Sequence, residues 1–193
     1  MKDPNIRDIL RRTALLSYYN DPHSKVVEEM KLPVAKARID MAVINGHFHG
    51  YEIKSAVDTL NRLPGQIVAY SKIFDFVTVV TENNHYGKVH SALPEWVGIC
   101  VCSNTGRSEK LTCIREAKIN TRKSGFHLAK LLWHNELVEV LTEQEIPFKK
   151  KDRSWILCQT LDANLPVTII SDIVREKLKA RTTWQLKEDC EVE

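Results

Sequence analysis

Three charged side chains in two short alternating segments carry the chemistry that this sequence offers. Asp40 lies in one segment, and Glu52 and Lys54 lie two residues apart in the next. Two carboxylates that share a small space repel each other unless a cation lies between them. Magnesium suits such a gap, because it typically takes one or two carboxylates and completes its shell with water and substrate phosphate. With Lys54 placed to hold an attacking water, the set predicts metal-assisted hydrolysis at a phosphate.

The register of a hairpin around Asn45-Gly46 decides whether these charges meet. Apolar and polar residues alternate on both sides of this dipeptide, which is a strong hairpin signal. A two-residue loop would leave Asp40 and Glu52 on opposite faces, whereas a three-residue loop places them directly opposite each other. The second register also gathers five apolar side chains on one face: Ile39, Met41, Val43, Tyr51 and Ile53. We therefore predict the three-residue loop, with Gly46 in the left-handed conformation.

The combination of Asp40, the turn, Glu52-Ile-Lys54 and a downstream glutamine resembles the PD-(D/E)XK nuclease-like superfamily, whose members mostly cut DNA with Mg²⁺. Gln66 and Tyr70, one helical turn apart, resemble the Gln-x-x-x-Tyr feature of its RecB-like branch. The sequence departs from the superfamily motif in having Ile39, and no proline, before the aspartate. The alternative is an ordinary meander with a surface Asp and a Glu–Lys pair.

The resemblance covers about residues 24–120 and implies a fold, a cofactor and site residues. The fold is a restriction-endonuclease-like α/β core with a mixed sheet between helices, and the cofactor is Mg²⁺ or Mn²⁺. The metal ligands are Asp40, Glu52 and Glu29, the last on a short helix at 24–30 before the hairpin. The catalytic residues that it implies are Asp40, Glu52, Lys54 and Gln66.

The apolar pattern predicts the elements that position these residues. The predicted helices cover residues 5–18, 24–30, 64–74, 85–93, 125–141, 154–163 and a last segment opened by Pro166. Arg7, Arg11 and Arg12 are expected on the exposed side of the first helix. The strands after the hairpin are predicted at 76–80, 96–102 and 111–115, the last two joined around Asn104-Thr-Gly106. A strand–helix–strand unit in one sheet implies a right-handed parallel crossover. We predict a core at 1–123 and a C-terminal helical subdomain at 124–193.

A basic run between two of the C-terminal helices is the candidate DNA grip. It comprises Lys149, Lys150, Lys151 and Arg153. Arg62 and Tyr70, near the start and end of the glutamine helix, are the other candidate nucleic-acid-binding residues. A basic run is usually a solvated face, and the terminal helices could instead form a homodimer or a contact with a protein partner.

Composition narrows the class of protein. The chain has 193 residues, of which 43% are hydrophobic, and a formal net charge of +3. No apolar run reaches the ~18 residues of a membrane span, and the first residues lack the apolar core of a signal peptide. Five cysteines, an odd number, argue against a disulfide framework. We expect a cytoplasmic protein with no membrane partner.

The sequence therefore predicts a Mg²⁺-dependent deoxyribonuclease, with RNA as a substrate not excluded. Two other functions remain open from the same residues. The first is a nuclease-like fold that binds nucleic acid without turnover. The second is a protein–protein adaptor, for instance in a phage–host or defence system, that acts through the C-terminal helices.

Overall fold

The structure, a computed structural model, describes residues 3–55, 58–104 and 109–182. The first half contains α1 (Asp3–Arg12), α2 (Leu16–Tyr19), β1 (Lys25–Lys31), β2 (Arg38–Ile44), β3 (Phe48–Lys54) and α3 (Leu63–Tyr70). It continues with β4 (Phe76–Glu82), α4 (Tyr86–Ala92), β5 (Gly98–Asn104) and β6 (Glu109–Arg115). Four helices follow: α5 (Gly125–Ala129), α6 (His134–Glu143), α7 (Ser154–Asn164) and α8 (Val167–Ala180). The predicted turn at Asn104-Thr-Gly106 lies partly outside the described residues.

The six strands form one mixed sheet in which spatial order follows chain order, from β1 to β6. Strands β1, β2 and β3 are antiparallel neighbours, β3, β4 and β5 are parallel, and β6 runs antiparallel to β5. The parallel pair β3 and β4 is joined through α3, which confirms the predicted strand–helix–strand crossover. The α/β class, the mixed sheet and the C-terminal helices are all as predicted.

The β2–β3 hairpin adopts the predicted register. Ile44 pairs with Phe48, so the loop has three residues. The loop closes through the side chain of Asn45, whose Oδ1 accepts the His47 N–H at 2.9 Å. The prediction of a left-handed Gly46 is wrong, because its φ lies outside that region and the Asn45 side chain makes the turn instead.

Gly46 should therefore tolerate a side chain. A Cβ there would meet no atom within 4 Å, so we expect Gly46→Ala to raise the free energy of unfolding by about 0.4–1 kcal/mol, because the unfolded chain has less conformational freedom. Gly50→Ala is the contrasting variant, because its Cβ would lie 2.9 Å from Ile39 Cδ1. Overpacking there should cost about 1–3 kcal/mol. Urea unfolding measures the stability of both variants. If Gly46→Ala is less stable than wild type, Gly46 adopts the left-handed conformation after all.

Apolar side chains cover both faces of the sheet. On one face, Met41, Val43, Tyr51 and Ile53 pack with buried residues of α1. On the other face, α3 and the C-terminal helices enclose a larger cluster that includes Ile39. The prediction that Ile39 shares a face with the first group is therefore wrong, because Ile39 lies beyond the last β2–β3 pair and packs in the cluster of the other face.

Three predicted helices differ from the structure. The first, at 5–18, is divided into α1 and α2. Residues 24–30 form strand β1, since Val26 and Val27 are β-branched and the segment pairs with β2. The long helix predicted at 125–141 is divided into α5 and α6. The division is explained by a second helix start at Trp133, whose N–H donates to the Glu136 carboxylate at 2.7 Å.

Buried polar contacts attach the C-terminal helices to the sheet. Asp75, after α3, accepts the Phe48 N–H at 2.8 Å and also binds the ammonium of Lys123. Lys123 in turn donates to Ser171 of α8 at 3.0 Å. The apolar cluster on this face runs without a break from α3 into α8. In the described part of the chain, no helix is long and apolar enough to cross a membrane.

Candidate active site

A buried carboxylate, Glu52, is the centre of a hydrogen-bond network at the end of the hairpin. Its Oε1 accepts from Lys54 Nζ at 2.6 Å and from Gln66 Nε2 at 2.7 Å. Its Oε2 lies 2.5 Å from the Tyr70 hydroxyl. Lys54 Nζ also donates to Gln66 Oε1 at 3.0 Å. Three of the four predicted catalytic residues are thus in direct contact, and Glu52 and Lys54 are only 2% and 5% exposed.

Helix α3 supplies the donors because its first turn points at β3. Pro64 fits the start of the helix, where its missing N–H leaves no bond unmade. Gln66 and Tyr70 are four residues apart and therefore lie on the same side of the helix. Tyr70 is fully buried, and its hydroxyl lies 2.8 Å from the Arg38 carbonyl as well as beside Glu52. Burial, followed by the negative charges of Glu52 and then Asp40, raises the pKa of Tyr70, so both acids act on this hydroxyl.

Asp40 lies at the end of the same hairpin and is held from two sides. Its Oδ2 accepts the Ile53 N–H at 2.7 Å. This carboxylate oxygen takes the place of a backbone carbonyl of β2, which would accept the same N–H if the ladder continued. Oδ1 of Asp40 lies 3.3 Å from Nη2 of Arg7, a residue of α1. The β2–β3 ladder ends at the pair of Met41 with Tyr51, so the predicted pairing of Asp40 with Glu52 is not part of it.

Glu29 is found in strand β1 and not on a helix, so that part of its prediction is wrong. Its φ is 54°, an uncommon conformation for a residue with a side chain. Its carboxylate lies between two guanidinium groups, 2.5 Å from Arg7 Nη2 and 2.6 Å from Arg38 Nε. The second contact lacks hydrogen-bond geometry, since Oε2 is buried and has no hydrogen bond. Residues that hold such backbone strain cluster at functional sites.

The predicted nucleic-acid contacts fall into two groups. Arg62 is exposed directly before α3, and its carbonyl accepts the Gln66 N–H at 3.0 Å. The four basic residues between α6 and α7 are also exposed: Lys149, Lys150, Lys151 and Arg153. Tyr70 is fully buried in this conformation and its hydroxyl bonds within the protein, so the DNA contact predicted for it stays a prediction.

The donor types around Asp40 and Glu52 fit a magnesium ion, which prefers carboxylate oxygens. In this conformation, however, protein donors engage them. Arg7 and the Ile53 amide hold Asp40, and the buried network holds Glu52. Among the described residues, no group of three or more His, Cys, Asp or Glu side chains could hold a metal ion. The predicted set of Asp40, Glu52 and Glu29 is therefore not assembled as a metal site here.

The position of Arg7 differs from the one that the sequence predicts. Helical periodicity places it on the exposed side of α1, yet its side chain is only 12% exposed and lies among acids. The sequence does carry one indication of this contact. Arg7 and Arg11 are four residues apart, so both cations lie on one side of a helix, beside an acidic strand. The partner strand itself is not recognisable from the sequence, because the residues of that segment favour a helix.

Comparison with known proteins relates the chain to one phage protein. A family model described as bacteriophage P4 protein cII matches residues 8–190. Protein cII of Enterobacteria phage P4 is 26% identical over 156 residues, which is 81% of this chain and 59% of that protein. The chain thus aligns with less than two thirds of that relative. A solved structure, the SPO1766 protein of unknown function from Silicibacter pomeroyi, has 16% identity and a TM-score of 0.39, over 53% of this chain and 66% of that one. That score is too low to indicate a common fold.

Proposed function

We propose that this chain, which belongs to the bacteriophage P4 protein cII family, is a magnesium-dependent nuclease that hydrolyses phosphodiester bonds in DNA. The observation that carries the proposal is the direct contact of Glu52, Lys54 and Gln66 at the end of a hairpin that also carries Asp40. Glu52 and Lys54 are two residues apart on β3, and Gln66 comes from α3. Together they supply the acid, the amine and the positioning amide that this proposal assigns to the reaction.

Each residue has a separate role in this proposal. Asp40 and Glu52 would hold the ion, which when bound supplies a Lewis acid for the scissile phosphate and lowers the pKa of water. Lys54 positions the attacking water and stabilises the negative charge that develops on the phosphate, since its side chain is an ammonium paired with Glu52. Gln66 is a positioning residue, because it donates to Glu52 and accepts from Lys54 and so fixes both side chains.

We propose also that the core is restriction-endonuclease-like. The features in favour are the three-residue hairpin, the crossover helix with Gln66 and Tyr70, and the parallel strand β4. DNA in the cytoplasm would be the substrate, and Arg62, exposed directly before α3, would contact it. Because the chain aligns with only part of phage P4 protein cII, the activity is proposed for this chain alone.

A second function, DNA binding without turnover, is favoured by one observation. Glu52 is almost fully buried, and protein donors bond both of its oxygens. If Glu52 keeps these donors, it cannot take a metal ion, and the protein would bind nucleic acid at its surface and leave it intact. The two functions differ in whether Glu52 exchanges its protein donors for a cation.

The test is cleavage of labelled duplex DNA, single-stranded DNA and RNA with Mg²⁺ or Mn²⁺, and with EDTA. The wild-type protein should cut DNA only with the metal, and Glu52→Gln should not cut. The matched control is Glu116→Gln, since Glu116-Ala-Lys118 repeats the tripeptide pattern at an exposed position. DNA binding by a wild-type protein that leaves every substrate intact would establish the second function instead.

The basic run between α6 and α7 is proposed to contact the phosphate backbone. Replacing Lys149, Lys150 and Lys151 by Ala should weaken duplex binding and flatten the slope of log affinity against log salt by about two to three units, at about 0.9 for each phosphate that a lysine no longer neutralises. The control removes three exposed lysines elsewhere: Lys88, Lys110 and Lys118. Fluorescence anisotropy at several salt concentrations measures both slopes. Equal slopes would make the run a solvated face.

A further inference from the structure

Arg7 lies where three acidic side chains converge beside the hairpin. Its Nη2 is 2.5 Å from Glu29 Oε1 and 3.3 Å from Asp40 Oδ1, and its Nη1 is 3.9 Å from Glu28 Oε2. One guanidinium therefore bridges Asp40, a proposed metal ligand, to Glu29, the acid that the family resemblance adds to the same metal set. The Arg7 side chain is 12% exposed and that of Glu29 is 37% exposed, so the contact is partly shielded from water.

Among the contacts described for this cluster, acidic and guanidinium groups are equal in number while Arg7 stays in place. Glu28, Glu29 and Asp40 face Arg7, Arg11 and Arg38, three acids against three guanidinium groups. A divalent cation added to this arrangement would face the positive charge of Arg7 at close range. The ion and the guanidinium therefore compete for the same carboxylate oxygens.

If Arg7 leaves the acids, only its side chain has to move, and helix α1 stays in place. Ile6, Ile9 and Leu10 of α1 are at most 1% exposed and pack against the sheet. Lifting α1 would expose all three, which would cost a large part of the stability of a small domain. An arginine side chain, in contrast, has several rotatable bonds and can swing to solvent while its backbone stays fixed.

We propose that Arg7 is a latch that closes the site in the absence of metal, and that a divalent cation opens it by displacing the guanidinium from Asp40 and Glu29. The proposal rests on the proposed function, because it takes Asp40 as a metal ligand. It gives Glu29 a place in the open state, since departure of Arg7 frees Oε1 of that carboxylate while Arg38 stays beside Oε2.

The test is the affinity of the intact chain for Mn²⁺ alone, measured by calorimetry on four proteins. Arg7→Gln should bind Mn²⁺ about 10- to 100-fold more tightly than wild type, because a cation close to the ligands is removed. Arg7→Lys, which keeps the charge, should lie between them. Arg11→Gln is the matched control, since Arg11 bonds to Glu28 one turn further along the same helix, and it should bind like wild type.

A second measurement protects the test against loss of fold. Arg7→Gln should melt at a lower temperature than wild type without metal, and Mn²⁺ should raise its melting temperature by more. Equal Mn²⁺ affinity in Arg7→Gln and wild type would overturn the latch. Equal tightening by Arg11→Gln would overturn it too, because the effect would then reflect net charge.

Cleavage assays on the same proteins separate the latch from the proposed function. If wild type and Arg7→Gln both cut DNA and bind Mn²⁺ equally, the nuclease stands and the latch fails. If Arg7→Gln binds Mn²⁺ more tightly but no protein cuts nucleic acid, the latch stands and the nuclease fails. Glu52→Gln should weaken Mn²⁺ binding in the Arg7→Gln background, and if it does not, the tightened site is a different one.

Discussion

Lys54→Met is expected to slow DNA cleavage by about 10²-fold or more, as for loss of a group placed to stabilise developing charge. Methionine fits the buried space of the lysine stem but cannot hold water or stabilise the negative charge on the phosphate. Glu52 keeps the donors of Gln66 and Tyr70 in this variant. Mn²⁺ affinity should be unchanged or tighter, since the ammonium that now occupies Glu52 Oε1 is gone.

Single-turnover cleavage at saturating Mn²⁺ measures this effect apart from metal binding. Lys118→Met is the control, because Lys118 is exposed in the second Glu-x-Lys tripeptide and should cut at the wild-type rate. Lys54→Arg keeps the ion pair and shows whether charge alone suffices if Lys54→Met folds poorly. Cleavage at the wild-type rate by a folded Lys54→Met protein would remove Lys54 from the reaction.

Arg181→Ala is expected to lower the free energy of unfolding by about 3–5 kcal/mol, the usual cost of leaving one partner of a buried ion pair behind. Arg181 Nε donates to Glu136 Oε1 at 2.8 Å, and its Nη2 bonds to Glu136 Oε2 and to the Leu131 carbonyl. The guanidinium also lies 4.2 Å from the centre of the Trp133 ring. Its removal leaves the buried Glu136 carboxylate with the Trp133 N–H but no cation, and leaves the Leu131 carbonyl and the Trp133 ring without the guanidinium.

Urea unfolding of Arg181→Ala against Arg153→Ala measures this loss. Arg153 is exposed at the start of α7, so its variant should lie within about 0.5 kcal/mol of wild type. Combining Arg181→Met with Glu136→Gln should recover part of the loss, since no uncompensated charge then stays buried. A loss below about 1 kcal/mol for Arg181→Ala would mean that water enters and solvates Glu136.

The hairpin and the Glu52 network can be predicted from the sequence because their signals are local. Strand alternation and a turn dipeptide determine which residues share a face in the paired part of the hairpin, from Met41 to Tyr51. A four-residue spacing puts Gln66 and Tyr70 on one side of α3. The contact between α1 and the acids cannot be predicted in this way, because Arg7 and Asp40 are 33 residues apart. No periodicity reports a contact at that distance.

Strand β1 escapes prediction because its local and tertiary preferences conflict. Glu28, Glu29 and Met30 favour a helix, and the segment becomes a strand by pairing with β2. The break between α5 and α6, at residues 130–133, cannot be predicted from local preference either. The apolar character of these residues continues the pattern of α5, and the break depends on the bond between Glu136 and the Trp133 N–H.

The agreement between strand order and chain order has a consequence for how the protein folds during synthesis. Each strand pairs with the one made just before it, so the sheet can grow by short loop closures as the chain leaves the ribosome, which is the rapid route to a β-structure. The final step joins parts of the chain that are far apart in sequence. The ammonium of Lys25 at the start of β1 donates to the carbonyl of Lys179, 154 residues later. We therefore expect nascent chains that end before α8 to have a paired sheet with part of one apolar face uncovered, and to need chaperone protection until that helix arrives.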